Sequence, residues 1–93
     1  MPKAGYAGVA VFGAFYQASI THKGVPILGE CRSTALEAHC DWQRLKADMV
    51  EDHLRGYLRE PVPDLRVVRA LIKFADFLRF SADQCIPSLG YQH

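Results

Sequence analysis

Cysteine and histidine are the residue types in this sequence that could ligate a metal ion or supply a nucleophile with its base. The cysteines are Cys31, Cys40 and Cys85, and no pair of cysteines or histidines has the C-x2-C or H-x3-H spacing of a tetrahedral zinc site. His39 and Cys40 are neighbours, so on a helix their side chains point about 100° apart and cannot easily share one ion. We therefore predict no metal site.

Catalysis by a cysteine would require an activated thiolate and an oxyanion site close to it. The sequence has no Gly-rich phosphate loop and no nucleophile turn, because Gly5, Gly8 and Gly13 lie in a strand-like stretch that no helix follows. We therefore predict that the chain is not an enzyme, has no catalytic residues and binds no cofactor. The odd number of cysteines also predicts reduced thiols and no functional disulfide.

The stretch 5–20 has no charged residue, and it could be a signal peptide, a membrane anchor or part of a soluble core. A membrane-spanning helix needs about 20 apolar residues, and the glycines in this stretch disfavour any helix. A signal peptide would need a more basic start than a single lysine. Side chains alternate in direction after Gly13, which favours strands near 6–12 and 14–21. We therefore predict a cytoplasmic protein that does not bind membranes.

Turn residues and a change of period divide the rest of the chain. His22 and Lys23 followed by Gly24 predict a type I turn with glycine in a left-handed bulge. A third strand follows. Because Pro26 has no N–H to donate, this is an edge strand or its pairing skips that position. From Thr34 the apolar period becomes helical, with the capping-box pattern of a helix start.

Two prolines, Pro61 and Pro63, interrupt the helical pattern. The sequence therefore predicts an α+β fold: a small antiparallel β-sheet of two or three strands, followed by two antiparallel α-helices packed on one face. In the single domain 1–93, the predicted elements are strands within about 6–32, a helix at about 34–60, a helix at about 64–80 and a C-terminal tail at 81–93. In the tail, Ile86, Leu89 and Tyr91 could cover an apolar surface.

The first predicted helix has two apolar stripes on nearly opposite sides. One stripe contains Ala38, Trp42, Leu45 and Met49, and the other extends over 36–58. A helix with two apolar stripes packs against two neighbours. One neighbour is the sheet, and the other is the second helix or a partner.

The second predicted helix is apolar around most of its circumference, which is more than one sheet and one helix can cover in a small domain. A basic row of Arg66, Arg69 and Lys73, to which Arg79 could add, occupies the remaining face. The surplus apolar surface predicts a two-fold homodimer through helix faces; a foreign protein partner and a purely internal role are the alternatives. The residues that we predict to bind a partner are Trp42, Met49, Phe74, Phe77, Arg66, Arg69 and Lys73.

Residues 15–42 contain an aromatic alternating strand, a turn with glycine, a strand ending in Leu-Gly, and a helix start with threonine and an acidic residue. The residues in these places are Tyr16, Ala18, Ile20, Gly24, Leu28, Gly29, Thr34, Glu37 and Ala38. This pattern resembles the arm-type DNA-binding domain of phage integrases and its relative in plant ethylene-response factors. The resemblance implies a sheet-plus-helix fold and DNA contacts by arginines on the exposed sheet face. The matching positions here are Gln17, Ser19 and Thr21, so it implies the fold more than the DNA contacts.

The charge balance gives no global attraction to nucleic acid or anionic membranes, because 11 basic and 10 acidic residues leave a formal net charge of +1. Size and layout also resemble those of small phage anti-CRISPR proteins. We therefore predict a non-catalytic protein-binding module, an inhibitor from a phage or mobile element that acts on a host defence protein such as a nuclease complex. The alternative is a small DNA-binding module of a mobile element, with at most weak, sequence-indifferent binding of DNA.

Overall fold

The computed structural model describes residues 6–87 of the chain. Strands β1 (Val9–Phe12), β2 (Phe15–His22) and β3 (Val25–Arg32) form one antiparallel sheet in the order β1-β2-β3. Helices α1 (Ala35–Tyr57) and α2 (Leu65–Asp83) follow. This arrangement confirms the predicted α+β fold and gives the sheet three strands, with the proline-containing β3 at an edge.

Both helices differ from the prediction at their C-terminal ends. Helix α1 ends at Tyr57 rather than near residue 60, and α2 continues to Asp83 rather than ending near residue 80. The segment after α2 is therefore shorter than predicted. Within it Ile86 is exposed, whereas Leu89 and Tyr91 lie outside the described residues.

The turn between β2 and β3 corrects one prediction. His22 pairs directly with Val25, so the loop has only two residues, and Lys23 and Gly24 both have positive φ angles, 53° and 78°. Positive φ at both loop positions is the geometry of a type I′ turn, which follows the twist of the strands better than a type I turn with a bulge. Gly13, with a φ of 58°, takes up the tight turn between β1 and β2.

The sheet has one covered and one exposed face, as the alternation in β2 predicts. On the covered face Ala18 is fully buried. Opposite it, β3 contains one extra residue, a β-bulge that shifts the register between Gln17 and Ser19. A Cβ atom added to Gly29 would lie 3.1 Å from the Cβ of Ala18 and 3.4 Å from that of Asp41. The absence of a side chain at Gly29 therefore lets this bulge approach α1 closely.

Helix α1 contacts all three strands and α2, whereas α2 contacts no strand within residues 6–87. At one end of the helix pair, the Asp64 backbone N–H donates to the Tyr57 hydroxyl over 2.8 Å. At the other end, Arg44 of α1 lies 3.5 Å from Asp83 of α2. The end of α1 thus meets the start of α2, so the two helices are antiparallel and stack as successive layers on the sheet.

The main cluster of buried apolar side chains lies between the two helices. It contains Ala47, Val50, Ala75 and Leu78, with Leu71 and Phe74 packed against it. Alanine on both helices allows their axes to come close. The predicted α1 stripe over 36–58 is therefore the one that faces α2, and the stripe containing Trp42 faces the sheet.

Short polar residues begin both helices, as the sequence predicts for α1. The Thr34 hydroxyl accepts a hydrogen bond from the Glu37 backbone N–H at 3.2 Å, and the Asp64 carboxylate accepts one from the Arg66 backbone N–H at 2.9 Å. Each bond satisfies a backbone donor that the helix itself cannot pair.

Candidate functional site

Trp42 and Met49, two of the predicted partner-binding residues, belong to the packing of α1 on the sheet. The Trp42 ring lies over Gly8, where an added Cβ atom would be only 1.9 Å from the ring carbon Cδ1. The same ring stacks on the imidazole of His39 with a centroid separation of 5.5 Å. Met49 is half-buried two turns further along this stripe. The two side chains therefore help to pack α1 against the sheet.

Phe74 also turns toward the interior. It packs against the buried cluster between α1 and α2 and is only partly exposed. The structure therefore separates Phe74, Trp42 and Met49 from the predicted residues that remain accessible.

The other four predicted residues share the side of α2 that points away from α1. With the exposed apolar residues between them they form a surface that we call the outer face of α2. It consists of Leu65, Arg66, Arg69, Ile72, Lys73, Phe77 and Phe80. These positions are offset by about half a helical turn from Leu71, Ala75 and Leu78, which face α1. Phe80 was not among the predicted residues, although its spacing from Lys73 and Phe77 places it on the same face.

Apolar side chains on the outer face of α2 are substantially exposed. The exposed fractions are 64% for Leu65, 44% for Ile72, 50% for Phe77 and 59% for Phe80. Two of the four are aromatic. A single exposed apolar residue is ordinary on a protein surface, but a contiguous set along one helix is typical of a binding surface.

The basic residues of this face differ in their ion pairs. Arg66 pairs with Asp64 at the start of the helix, at 3.1 Å, and this contact lowers the pKa of the Asp64 carboxyl. Arg69 and Lys73 form no ion pair with any carboxylate in the described part of the chain. Asp76 lies on the same side of the helix and reduces the positive field. The face therefore carries a modest excess of positive charge.

Arg79 does not extend this basic row. Its guanidinium turns toward α1 and donates to Asp48 at 2.9 Å and to the Glu51 carboxylate. The hydrogen bond with Arg79 lowers the pKa of Glu51, and the two carboxylates raise the pKa of Arg79. The suggestion that Arg79 adds to the exposed row is therefore wrong, because acidic residues of α1 engage it.

The exposed face of the sheet is a second accessible surface. Phe12, Phe15 and Leu28 are exposed on it, and the Gln17 side-chain amide donates to the Gly29 carbonyl at 2.9 Å. Within β1, β2 and β3 no arginine or lysine lies on this face, since Arg32 turns to α1 and bonds Asp41 at 2.7 Å. The face therefore lacks the side chains with which the integrase-like pattern would contact DNA.

The side chains that could bind a metal ion or catalyse a reaction are dispersed or form other contacts. His22 contacts Asp52 at 2.9 Å, and the buried His39 ring contacts the Ala7 carbonyl through Nδ1 at 3.0 Å. Within residues 6–87 no group of three or more histidine, cysteine or acidic side chains is placed to hold a metal ion. The fold also brings Cys40 and Cys85 to the same pocket, although their spacing in the sequence does not indicate it.

Neither α1 nor α2 is long and apolar enough to cross a membrane. The chain matches no protein-family model, no curated protein and no solved structure. Function must therefore be argued from the surface of the molecule itself. The resemblances to integrase-type DNA-binding domains and to anti-CRISPR proteins remain predictions.

Proposed function

We propose that the chain is a non-catalytic protein-binding module and that it binds its partner through the outer face of α2. The observation that carries this proposal is that α2 packs on α1 by one side and leaves Leu65, Ile72, Phe77 and Phe80 between 44% and 64% exposed on the other. Burying such side chains against a partner releases water from apolar surface, which is the main favourable contribution to protein association.

The composition of the outer face supports a protein partner. Aromatic residues and arginine are enriched at protein interfaces and contribute much of their binding energy. Phe77 and Phe80 lie beside Arg69 and Lys73, so apolar contacts can be combined with directional charge contacts. The excess positive charge favours a partner surface with exposed carboxylates, because complementary charge raises the association rate and selects the partner.

The partner is either a second copy of this chain or a foreign protein. The surplus of apolar surface supports a two-fold homodimer as the first candidate. The narrower proposal is that a phage or mobile element uses the module to inhibit a host defence protein, and it rests only on the resemblance in size and layout to small anti-CRISPR proteins.

A DNA-binding function is the second candidate, supported by the basic residues Arg66, Arg69 and Lys73. Contacts with phosphates alone would give weak binding that is insensitive to sequence and falls steeply with salt. The aromatic content of the outer face and the net charge of +1 favour protein over DNA.

Site-specific photo-crosslinking in cells that express the protein tests the proposal. A benzophenone amino acid replaces Phe77 in one variant and Phe15 in a matched control, because these residues have exposed fractions of 50% and 54% but lie on different surfaces. We expect a defined protein adduct at Phe77 and much less at Phe15. The combined charge reversals Arg69→Glu and Lys73→Glu should reduce the adduct, and its mass distinguishes a second copy from a foreign protein.

Two outcomes would contradict the proposal. Equal adducts at Phe77 and Phe15 would show that neither surface is selective. Adducts to nucleic acid rather than protein, lost on raising the salt concentration, would favour the DNA-binding alternative.

A further inference from the structure

Cys40 and Cys85, 45 residues apart in the sequence, meet where the start of α1 lies beside the end of α2. Cys40 is buried on α1, and Cys85 is exposed just after α2. The Cys85 side chain lies close enough to the Cys40 thiol to contribute to its raised pKa. Both line one shallow pocket, together with Arg44 and Ala82. The fold thus places a buried and an accessible cysteine beside each other in one pocket.

The C-terminal turn of α2 creates this contact. The Cys85 backbone N–H donates to the Ala82 carbonyl at 3.3 Å, and the Ile86 N–H donates to the Ser81 carbonyl at 2.8 Å. These two bonds define a Schellman motif, in which the residue at the position of Cys85 adopts a left-handed conformation. The Ile86 carbonyl then accepts a hydrogen bond from the Gln43 side chain of α1 at 2.8 Å. Gln43 lies one turn from Cys40, so this bond holds the segment beside the part of α1 that contains Cys40.

Cysteine is an unfavourable residue at this position. Cys85 has a φ of 55°, in the region that glycine adopts without steric cost and other residues adopt only with strain. Glycine would terminate α2 more favourably but would leave Cys40 without its neighbouring thiol. A strained cysteine that shares a pocket with a second cysteine points to a role for the side chain.

We propose that Cys40 and Cys85 form an intramolecular disulfide when the protein meets a small-molecule disulfide such as oxidised glutathione. The disulfide would fasten the end of α2 to the start of α1. For Cys40 and Cys85, this proposal revises the sequence-based prediction of reduced thiols with no functional disulfide. It does not depend on the proposed protein-binding function, because neither cysteine lies on the outer face of α2.

The order of the reaction follows from exposure. Burial raises the pKa of the Cys40 thiol, and its contact with Cys85 adds to the effect, so the exposed Cys85 meets the oxidant first. The Cys85 thiolate attacks one sulfur of oxidised glutathione, forming a mixed disulfide and releasing one glutathione thiolate. The Cys40 thiolate then attacks the Cys85 sulfur and displaces the second glutathione thiolate. The two protons lost by the cysteines are taken up by the two glutathione molecules, and the cysteine pair is oxidised as glutathione disulfide is reduced.

The fold also explains why Cys31 takes no part. It lies on β3, paired with Gln17 and exposed at the edge strand of the sheet. An exposed thiol away from a second cysteine forms a mixed disulfide with glutathione but has no internal sulfur to displace it. We therefore expect glutathionylated Cys31 in the same sample that contains the Cys40–Cys85 bridge.

Peptide mapping of the folded protein after treatment with oxidised glutathione tests the proposal. Trypsin cleavage places Cys31, Cys40 and Cys85 on three different peptides, because Arg32, Arg44 and Arg79 provide cleavage sites between or beside them. We expect a disulfide-linked pair of peptides 33–44 and 80–93 as the main cross-linked product, which a thiol reductant removes. Oxidation should also raise the midpoint of thermal unfolding, since the bridge restricts the unfolded chain.

Two variants serve as controls. Cys31→Ser should form the bridge as the natural sequence does. Cys85→Ser should form none and should keep its midpoint of thermal unfolding on oxidation. Comparable amounts of the three possible disulfides among Cys31, Cys40 and Cys85 would overturn the proposal. So would stable glutathione adducts on Cys85 without the bridge. Circular dichroism of the treated protein confirms that it was folded when it reacted.

Discussion

Gly8 and Trp42 show how one residue without a side chain determines the packing of another. The φ of Gly8 is 73°, and the Trp42 ring occupies the space that a side chain at this position would need. The Gly8 carbonyl also accepts a hydrogen bond from the Ser19 N–H at 2.8 Å. The backbone at Gly8 is therefore held between β2 and the indole of α1.

We expect Gly8→Ala to destabilise the protein by roughly 2–5 kcal/mol, because a left-handed alanine costs about 1–2 kcal/mol and overpacking against Trp42 adds a similar or larger amount. Gly13→Ala is the matched control. Gly13 has a φ of 58° but no atom within 4 Å of an added Cβ, so only the backbone cost of about 1–2 kcal/mol applies. Urea unfolding at equilibrium measures the free energy of unfolding of both variants. Equal losses would show that Trp42 does not occupy this position.

His39 is a buried titratable residue in the packing of α1 near the sheet. Burial lowers its pKa from the ordinary 6.5, and the hydrogen bond with the Ala7 carbonyl opposes this only in part. In the unfolded chain the imidazole takes up a proton more readily than in the folded protein. The contribution of His39 to stability is therefore fully present above pH 6.5 and is lost as the pH falls below it.

We expect the free energy of unfolding to be smaller at about pH 5.5 than at about pH 7.5, since only the unfolded state gains the His39 proton readily in this interval. The variant His39→Asn retains an N–H that can reach the Ala7 carbonyl but does not titrate. Its stability should depend less on pH over the same interval, as measured by urea unfolding at each pH. The same slope in both proteins would count against a lowered pKa of His39.

At the scale of the helices, charged side chains on the flanks of α1 connect it to both neighbours. Asp41 bonds Arg32 of β3, and Asp52 contacts His22 and Lys23 at the turn between β2 and β3. On the side of α2, Arg79 lies between two carboxylates of α1. Several of these groups are well exposed, so they orient the helix more than they stabilise it.

The C-terminal turn of α2 gives a prediction of its own. We expect Cys85→Gly to stabilise the reduced protein by about 1 kcal/mol, because glycine removes the steric cost of the left-handed conformation. Cys85→Ala keeps that cost and serves as the control, so it should show no such gain. Both are compared with the natural sequence by urea unfolding in the presence of a thiol reductant. A Cys85→Gly variant no more stable than Cys85→Ala would show that Cys85 is not strained.

At the scale of the whole molecule, the layered arrangement decides which surfaces remain open. The sheet covers one side of α1 and α2 covers the other, but no described element covers the outer face of α2 or the exposed face of the sheet. Of these two, the outer face of α2 combines aromatic with basic side chains, whereas the exposed face of the sheet has no basic side chain in its strands.

We expect the 10.4 kDa chain to form a dimer at micromolar concentration. Phe77→Asp should weaken the dimer about 30-fold, since an aromatic anchor at an interface contributes about 2 kcal/mol or more. Phe15→Asp, on the exposed face of the sheet, is the control and should leave the dissociation constant unchanged. Sedimentation across a dilution series measures the dissociation constants of the natural sequence and of both variants. A monomer that persists at high micromolar concentration would refute the homodimer and leave the outer face of α2 for a foreign protein.

Most of the fold could be predicted from the sequence because its signals are local. The alternation in β2 indicated which side chains share a face, Thr34 marked the start of α1, and the prolines at 61 and 63 marked the break between helices. The type I′ turn was missed because Lys23 adopts a left-handed conformation that lysine rarely takes. The end of α2 was missed because Cys85 stands where glycine usually signals the stop.

The candidate site could be predicted only in part. Helical spacing in the sequence was enough to predict two apolar stripes on α1, and more apolar surface on α2 than one sheet and one helix can cover. The packing of the elements was needed to learn that Trp42 and Phe74 face the interior while Phe77 stays exposed, and that Cys40 and Cys85 share a pocket. The physical reason is that helical spacing specifies directions around one helix axis, whereas contacts between elements depend on how those axes pack together.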